Sequence, residues 1–261
     1  MRILGFECLN MYTRLEFLKR TFISASLFSI SSCTKKNRYS FYPDESVLDY
    51  NFSKNISIRE SDRIVFQGDS ITDSSRNRTI SGSNTSEGLG MGYVRYVSEA
   101  ILKNNTGKNI AIFNRGIAGN TSGDLLARWS VDCISLNPNV LSVLIGVNDL
   151  RYHVTPAEYY HNLKQLVDQA FTANPNLRLI LAEPFILPNI NSYGSFIDNF
   201  REYRIAVRMV AKEYGAAFIP CYNALISHIQ NADYTKFSVD GFHPSALGVE
   251  ILAQEWENVI H

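Results

Sequence analysis

Between residues 62 and 259, short β-rich apolar runs alternate with amphipathic stretches, and that alternation constrains the fold of this chain more than any other feature. The strand candidates are 64–67, 109–114, 140–145, 177–182 and 217–220. Between them lie helix-like stretches at 93–103, 121–135, 156–173 and 196–214, and a last one follows at 245–259. Strands separated by helices require right-handed crossovers, which predicts an α/β fold with a parallel sheet covered on both faces. At 261 residues and 45% apolar composition the chain supports one substantial core.

Ligands of such sheets bind beyond the carboxyl ends of the strands, and the residues able to carry chemistry fall there. Gly68-Asp69-Ser70 follows the first strand, with Gly68 read as the residue that lets the backbone turn and present the hydroxyl. Alone, this tripeptide is equally a turn or a helix cap. Near the other end stands Asp240-Gly241-Phe242-His243-Pro244. Its spacing places Asp240 and His243 on one side of a loop, so that a carboxylate can hold one ring nitrogen while the other faces Ser70. Carbonyl attack also needs donors for the oxyanion. Gly119 lies just before a helix, Asn148 ends the third strand in Gly146-Val147-Asn148-Asp149, and the Ser70 N–H completes a three-donor pocket. Taken singly, Gly119 reads as a turn and Asn148 as a cap.

The blocks Gly68-Asp69-Ser70, Gly116 to Gly119, Gly146-Val147-Asn148-Asp149 and Asp240-x-x-His243-Pro244, in this order, resemble the SGNH (GDSL) hydrolase superfamily over about residues 62–259. The resemblance implies a flavodoxin-like three-layer α/β/α fold with a parallel five-stranded sheet. It also implies Ser70 as nucleophile, Asp240 and His243 completing the catalytic set, and Ser70, Gly119 and Asn148 as oxyanion donors. Flanking segments around Gln67–Asp73, Leu89–Val94 and Leu126–Trp129 look like the acetylxylan esterase group of that superfamily. Tyr93, Val94 and Trp129 within them are read as helix-to-sheet packing.

These readings together predict a serine esterase acting on an acetylated carbohydrate, with no metal and no organic cofactor. His153 and His161 are ligand-type side chains, but no Cys/His/Asp spacing completes a metal site around them. Arg151, Tyr152 and His153 depart from the usual residues after the third block and leave the pocket wall open. The loops 74–92, with Arg76 and Arg78, and 184–193, with Phe185 and Tyr193, are the candidate binding walls. One rival is a lysophospholipase, thioesterase or general lipase on the same scaffold. A rival of another class is a glycan-binding lipoprotein without catalysis.

Lys plus Arg equals Asp plus Glu at 25 each, so no overall field draws the chain to nucleic acid or an anionic membrane. Residues 1–33 read as an export signal: Arg14, Lys19 and Arg20 precede an apolar stretch too short to span a bilayer. Ile30-Ser31-Ser32-Cys33 resembles a bacterial lipobox, with Cys33 as the lipid-bearing residue of a periplasmic or cell-surface protein. Residues 34–61 read as tether and N-terminal extension, and 62–261 as the hydrolase domain. Cys133 and Cys221 remain in the body of the chain and are read as buried thiols, although an exported location permits a disulfide.

Overall fold

Five parallel strands form the centre of the protein: β1 (Arg63–Gly68), β2 (Ala111–Asn114), β3 (Val140–Leu144), β4 (Arg178–Ala182) and β5 (Ala217–Ile219). The computed structural model describes residues 41–188, 193–229 and 233–260, the side chains of 193–198 excepted; residues 1–33, read from the sequence as an export signal ending in Cys33, lie outside them. Strand order is β2-β1-β3-β4-β5, the flavodoxin-like order, with Phe66 in register with Asn114 on one side and Ser142 on the other. The strands are apolar almost without interruption because both faces are covered, and Ile64, Val65, Phe66, Leu141, Ile180 and Leu181 are fully buried.

One helical layer contains α3 (Tyr93–Asn104), α8 (Cys221–His228) and α9 (Ala246–Val259); the other contains α4 (Ser122–Asp132), α6 (Pro156–Ala173) and α7 (Tyr193–Glu213). Short helices α1 (Ser70–Asp73), α2 (Ser86–Leu89) and α5 (Val147–Arg151) lie in the loops at the carboxyl edge. Helix starts follow local chemistry. Thr121 and Asp124 form a capping box before α4, Thr155 caps α6 ahead of Pro156, and the Ser245 side chain accepts from the Gly248 N–H before α9.

The aromatic residues quoted in the flanking segments are structural. Tyr93 is fully buried and packs, tilted by 31°, at 4.3 Å from Trp256, whose indole N–H donates to Ser142 Oγ at 2.9 Å. Trp129 donates to the Leu166 carbonyl at 3.0 Å, joining α4 to α6. The expected helix 121–135 stops at Asp132, because Cys133 leaves helical geometry and a 3₁₀ turn follows at Ile134–Leu136. Cys133 and Cys221 are buried free thiols, and burial pushes Cys133 up to about 12.

Residues 41–61, expected within the tether and N-terminal extension, pack on the folded body, beginning with Phe41 against Tyr160 at 5.3 Å. Val47, Ile56 and Ile58 are buried, the Ile56 N–H donates to the Val259 carbonyl at 2.8 Å, and Phe52 stacks on Phe218 at 4.4 Å. No helix among the described residues is long and apolar enough to cross a membrane.

Candidate active site

The order β2-β1-β3 puts the topological switch between β1 and β3, so the loops after these two strands open on the same crevice. Ser70 begins α1 directly after β1, and the α1 N-terminus leaves its first amides without intrahelical acceptors. Gly68 serves this junction differently from the expected turn. It is the last residue of β1, and a Cβ there would stand 2.3 Å from the Leu144 carbonyl oxygen and 2.2 Å from Thr72 Oγ1. Close approach between β1, β3 and α1, not chain reversal, demands glycine.

The loop before α9 brings His243 to Ser70. Ser70 Oγ lies 2.8 Å from His243 Nε2, and His243 Nδ1 lies 2.6 Å from Asp240 Oδ2. Asp240 Oδ1 accepts from the His243 N–H at 2.7 Å and the Phe242 N–H at 2.9 Å, closing the loop upon itself. Burial pushes the Asp240 carboxyl up, but the bonds from the His243 ring and from the His243 and Phe242 amides outweigh it and hold the group down to about 2. Asp240 is therefore a carboxylate throughout the neutral range, which favours the Nδ1–H tautomer and leaves Nε2 to accept the serine proton. The loop is tied to the body through the Leu187 N–H, which donates to the Gly241 carbonyl at 2.9 Å.

Gly119 has φ +86°, a left-handed conformation, and a Cβ there would meet nothing within 4 Å. Glycine is required by backbone strain alone. Asn148, in α5, donates one amide hydrogen to the Asn120 carbonyl at 3.1 Å, which anchors it to the residue after Gly119 and leaves the second hydrogen for a ligand. The loop carrying Gly119 is itself clamped from α1 and from the segment that follows it. Asp73 Oδ2 accepts from the Ala118 N–H at 2.9 Å and pairs with Arg78, and Arg76 Nε donates to the Gly116 carbonyl at 2.8 Å. Asn114 Nδ2 bridges the Thr72 and Leu89 carbonyls at 2.7 and 2.8 Å. Asp73 and these roles of Arg76 and Asn114 were not expected from the sequence, because their partners are backbone groups distant along the chain.

Ser70 and His243 line a cleft of about 560 Å³ together with Ile71, Asp73, Arg76, Arg78 and Ala118. Its wall includes Ser74 and Ser75, at φ 41° and 61°, two consecutive non-glycine residues in left-handed backbone. The loop 74–92 thus forms part of the wall, as expected. Phe185, in the second candidate wall loop, is fully buried and packs in the core; Tyr193 has its side chain outside the described residues. His153 is exposed, and among the described residues no group of three His, Cys, Asp or Glu side chains is placed to hold a metal.

Asp69, beside Ser70, is buried; its Oδ1 accepts from the Ile71 N–H at 3.0 Å, while Oδ2 has no partner among the described residues. Burial, reinforced by Asp149, pushes its carboxyl up to about 7, against roughly 3.9 in an unfolded chain. A raised folded-state value means that the protonated form stabilises the fold fully below about pH 4 and that this contribution is lost as pH rises to about 7. Asp69→Asn is therefore expected to flatten stability over this window. In urea unfolding at about pH 5 and about pH 7.5, the parent protein should lose at least ~1 kcal/mol more than the variant. Parallel curves would show that Asp69 is ionised in the fold.

An arrangement in which a hydroxyl at a helix N-terminus meets an imidazole held by a carboxylate is suited to acyl transfer. On the expectation that Asn148 is an oxyanion donor, Asn148→Ala should lower kcat by roughly 10²- to 10³-fold with KM little changed. Steady-state kinetics on an acetyl ester checks this, and an unchanged kcat removes Asn148 from the reaction.

Known proteins resemble this chain in sequence and in fold. A relative, the acetylxylan esterase of Geobacillus stearothermophilus, is 31% identical over 210 residues, covering 76% of this chain and 94% of its own. A solved structure of a candidate GDSL-like lipase from Parabacteroides merdae superposes with a TM-score of 0.76 at 32% identity, covering 78% of this chain and 98% of its own. A solved structure of the Geobacillus stearothermophilus acetylxylan esterase gives a TM-score of 0.68 at 30% identity, covering 77% and 94%. The match to the GDSL-like lipase/acylhydrolase family runs over residues 66–251, from β1 into α9, and takes in every block that forms the cleft: the chain belongs to this family and is a carboxylic ester hydrolase.

Proposed function

We propose that the protein is a serine esterase that removes O-acetyl groups from a carbohydrate such as acetylated xylan through an acyl-enzyme intermediate. The observation that carries this reading is the unbroken chain from Ser70 Oγ to His243 Nε2 at 2.8 Å and from His243 Nδ1 to Asp240 Oδ2 at 2.6 Å, with Ser70 and His243 lining the cleft. His243 takes the proton as Ser70 Oγ attacks the ester carbonyl, and the Ser70 N–H, Gly119 N–H and Asn148 amide receive the oxyanion. The carbonyl re-forms as the sugar oxygen leaves with the proton from His243. Water then attacks the acetyl-serine with His243 again as base, releasing acetate and restoring Ser70.

The acetyl specificity is supported by the likeness to the Geobacillus stearothermophilus acetylxylan esterase, for which catalytic mutants replacing a serine and a histidine by alanine have been solved. It is supported also by Arg76 and Arg78 in a cleft lining that otherwise mixes Ser74 and Ser75 with Ile71, Ala118, Pro244 and Val249, since charged side chains disfavour a long acyl chain beside them. Export and attachment through a lipid on Cys33 belong to the same proposal and would place the enzyme beside extracellular glycan.

The test is kcat/KM on acetyl and octanoyl esters of one alcohol, with Ser70→Ala as the blank. The expected result is a preference for acetyl of roughly 10²-fold or more, since an octanoyl chain would have to lie against charged side chains. A preference for octanoyl would replace this reading with a lipid or thioester hydrolase.

A further inference from the structure

The protein carries no net charge, yet its cleft is bordered by more cations than anions. Arg76 is 8% exposed and lines the cleft; its Nε donates to the Gly116 carbonyl at 2.8 Å, while its Nη1 is buried without a partner among the described residues. No carboxylate forms an ion pair with it among the described residues: Asp73, an anion that acts on it, also pairs with Arg78 and accepts from the Ala118 N–H through Oδ2. Arg78, Arg115 and Arg128 all act on Arg76 as like charges. Of these, Arg128 pairs with Asp132, and Arg115 donates to the Ser81 carbonyl rather than to a carboxylate. Arg76 thus shares its counter-charge, Asp73, with Arg78; a guanidinium largely out of water and short of acceptors is costly, and an anion set against it in the cleft would reduce that cost.

We propose that the cleft takes an ester whose alcohol part carries a carboxylate, that is, an O-acetylated acidic sugar whose carboxylate is set against Arg76 with Arg78 beside it. This rests on the reading of the enzyme as a carbohydrate deacetylase. An acetyl group occupies only the volume next to Ser70, so the space lined by Arg76 and Arg78 falls to the alcohol. Arginine presents a planar fork matched to a carboxylate, and the orphaned Nη1 marks a guanidinium that the fold itself leaves short of acceptors. Arg76 thereby acts in substrate selection as well as in holding the Gly116 carbonyl.

The experiment uses two mono-O-acetyl sugars that differ in charge alone: the methyl glucuronoside and its uronamide, with acetate release as the readout for the full chain and for Arg76→Gln. The expected result is a kcat/KM ratio of acid to amide of roughly tenfold or more, carried mainly in KM, falling to near one in Arg76→Gln. Damage to the Gly116 loop in the variant lowers both rates and cancels in the ratio. A measurement needing no variant accompanies it: free glucuronate should inhibit 4-nitrophenyl acetate hydrolysis at roughly tenfold lower concentration than glucuronamide. Equal rates and equal inhibition, or an acid preference that survives Arg76→Gln, overturn the proposal while leaving the deacetylase reading intact. Cleavage of 4-nitrophenyl acetate with neither sugar ester attacked overturns both.

Discussion

Replacing Ser70 by alanine is expected to lower kcat on an acetyl ester by about 10⁴- to 10⁶-fold, and His243→Ala by a comparable factor. On the proposed mechanism these side chains act as one unit: the hydroxyl is a poor nucleophile until Nε2, 2.8 Å away, accepts its proton. Once either is gone, the other has nothing to act on, so the double variant should be no slower than the worse single one. Losses that multiply would show two independent contributions and contradict the unit. Neither change should unfold the protein, because the His243 and Asp240 side chains are each half exposed and the loop is held separately by backbone bonds to Asp240 Oδ1. Circular dichroism and the urea midpoint of the variants check that separation.

The largest effect on stability should come from Glu183, the residue that follows β4. It is fully buried, and its Oε1 accepts from Arg204 Nε at 2.8 Å and from Arg208 Nε at 2.9 Å. Glu183→Gln keeps the shape and removes the charge, leaving two guanidinium groups beside a neutral amide. The expected cost is about 3–5 kcal/mol, read from urea unfolding, because an uncompensated buried charge is worse than no ion pair. Arg208 is the trapped partner, with its side chain 3% exposed against 14% for Arg204. It also donates to the Leu48 carbonyl at 3.2 Å, so Arg208→Met should cost more than Arg204→Met. A Glu183→Gln protein within ~0.5 kcal/mol of the parent would remove the triad from the account of stability. The triad lies at the root of the 184–188 segment, whose Leu187 holds the Gly241 carbonyl, so its loss should also loosen the loop that presents His243.

The strands were legible in the sequence because a parallel sheet covered on both faces needs near-continuous apolar runs, and few other structures do. The blocks that bring Ser70 and His243 to the cleft were legible because each combines a chemically apt residue with glycine or proline, after β1 in one case and ahead of α9 in the other. Much of what escaped notice has a partner that lies far away in the chain. The body begins before Asp62 because Val47, Phe52, Ile56 and Ile58 each find a separate site on the domain, and such isolated contacts leave no period to read. Helix α8 was missed because it has eight residues and opens on Pro220, too short to display an amphipathic face. Asp73 and Arg76 look like any polar loop residues until the Gly116–Ala118 backbone is folded against them. The triad left a faint trace, in that Arg204 and Arg208 stand one helical turn apart on α7, but their common anion is 21 and 25 residues distant.

The central claim, that Ser70 is the nucleophile of an acyl-enzyme, is tested most directly by intact-protein and peptide mass spectrometry after treatment with a serine-directed phosphonate ester. The account predicts one adduct per chain, located on Ser70, absent in Ser70→Ala and formed far more slowly in His243→Ala. An adduct that persists in Ser70→Ala, or that maps to another serine of the parent protein, would contradict it.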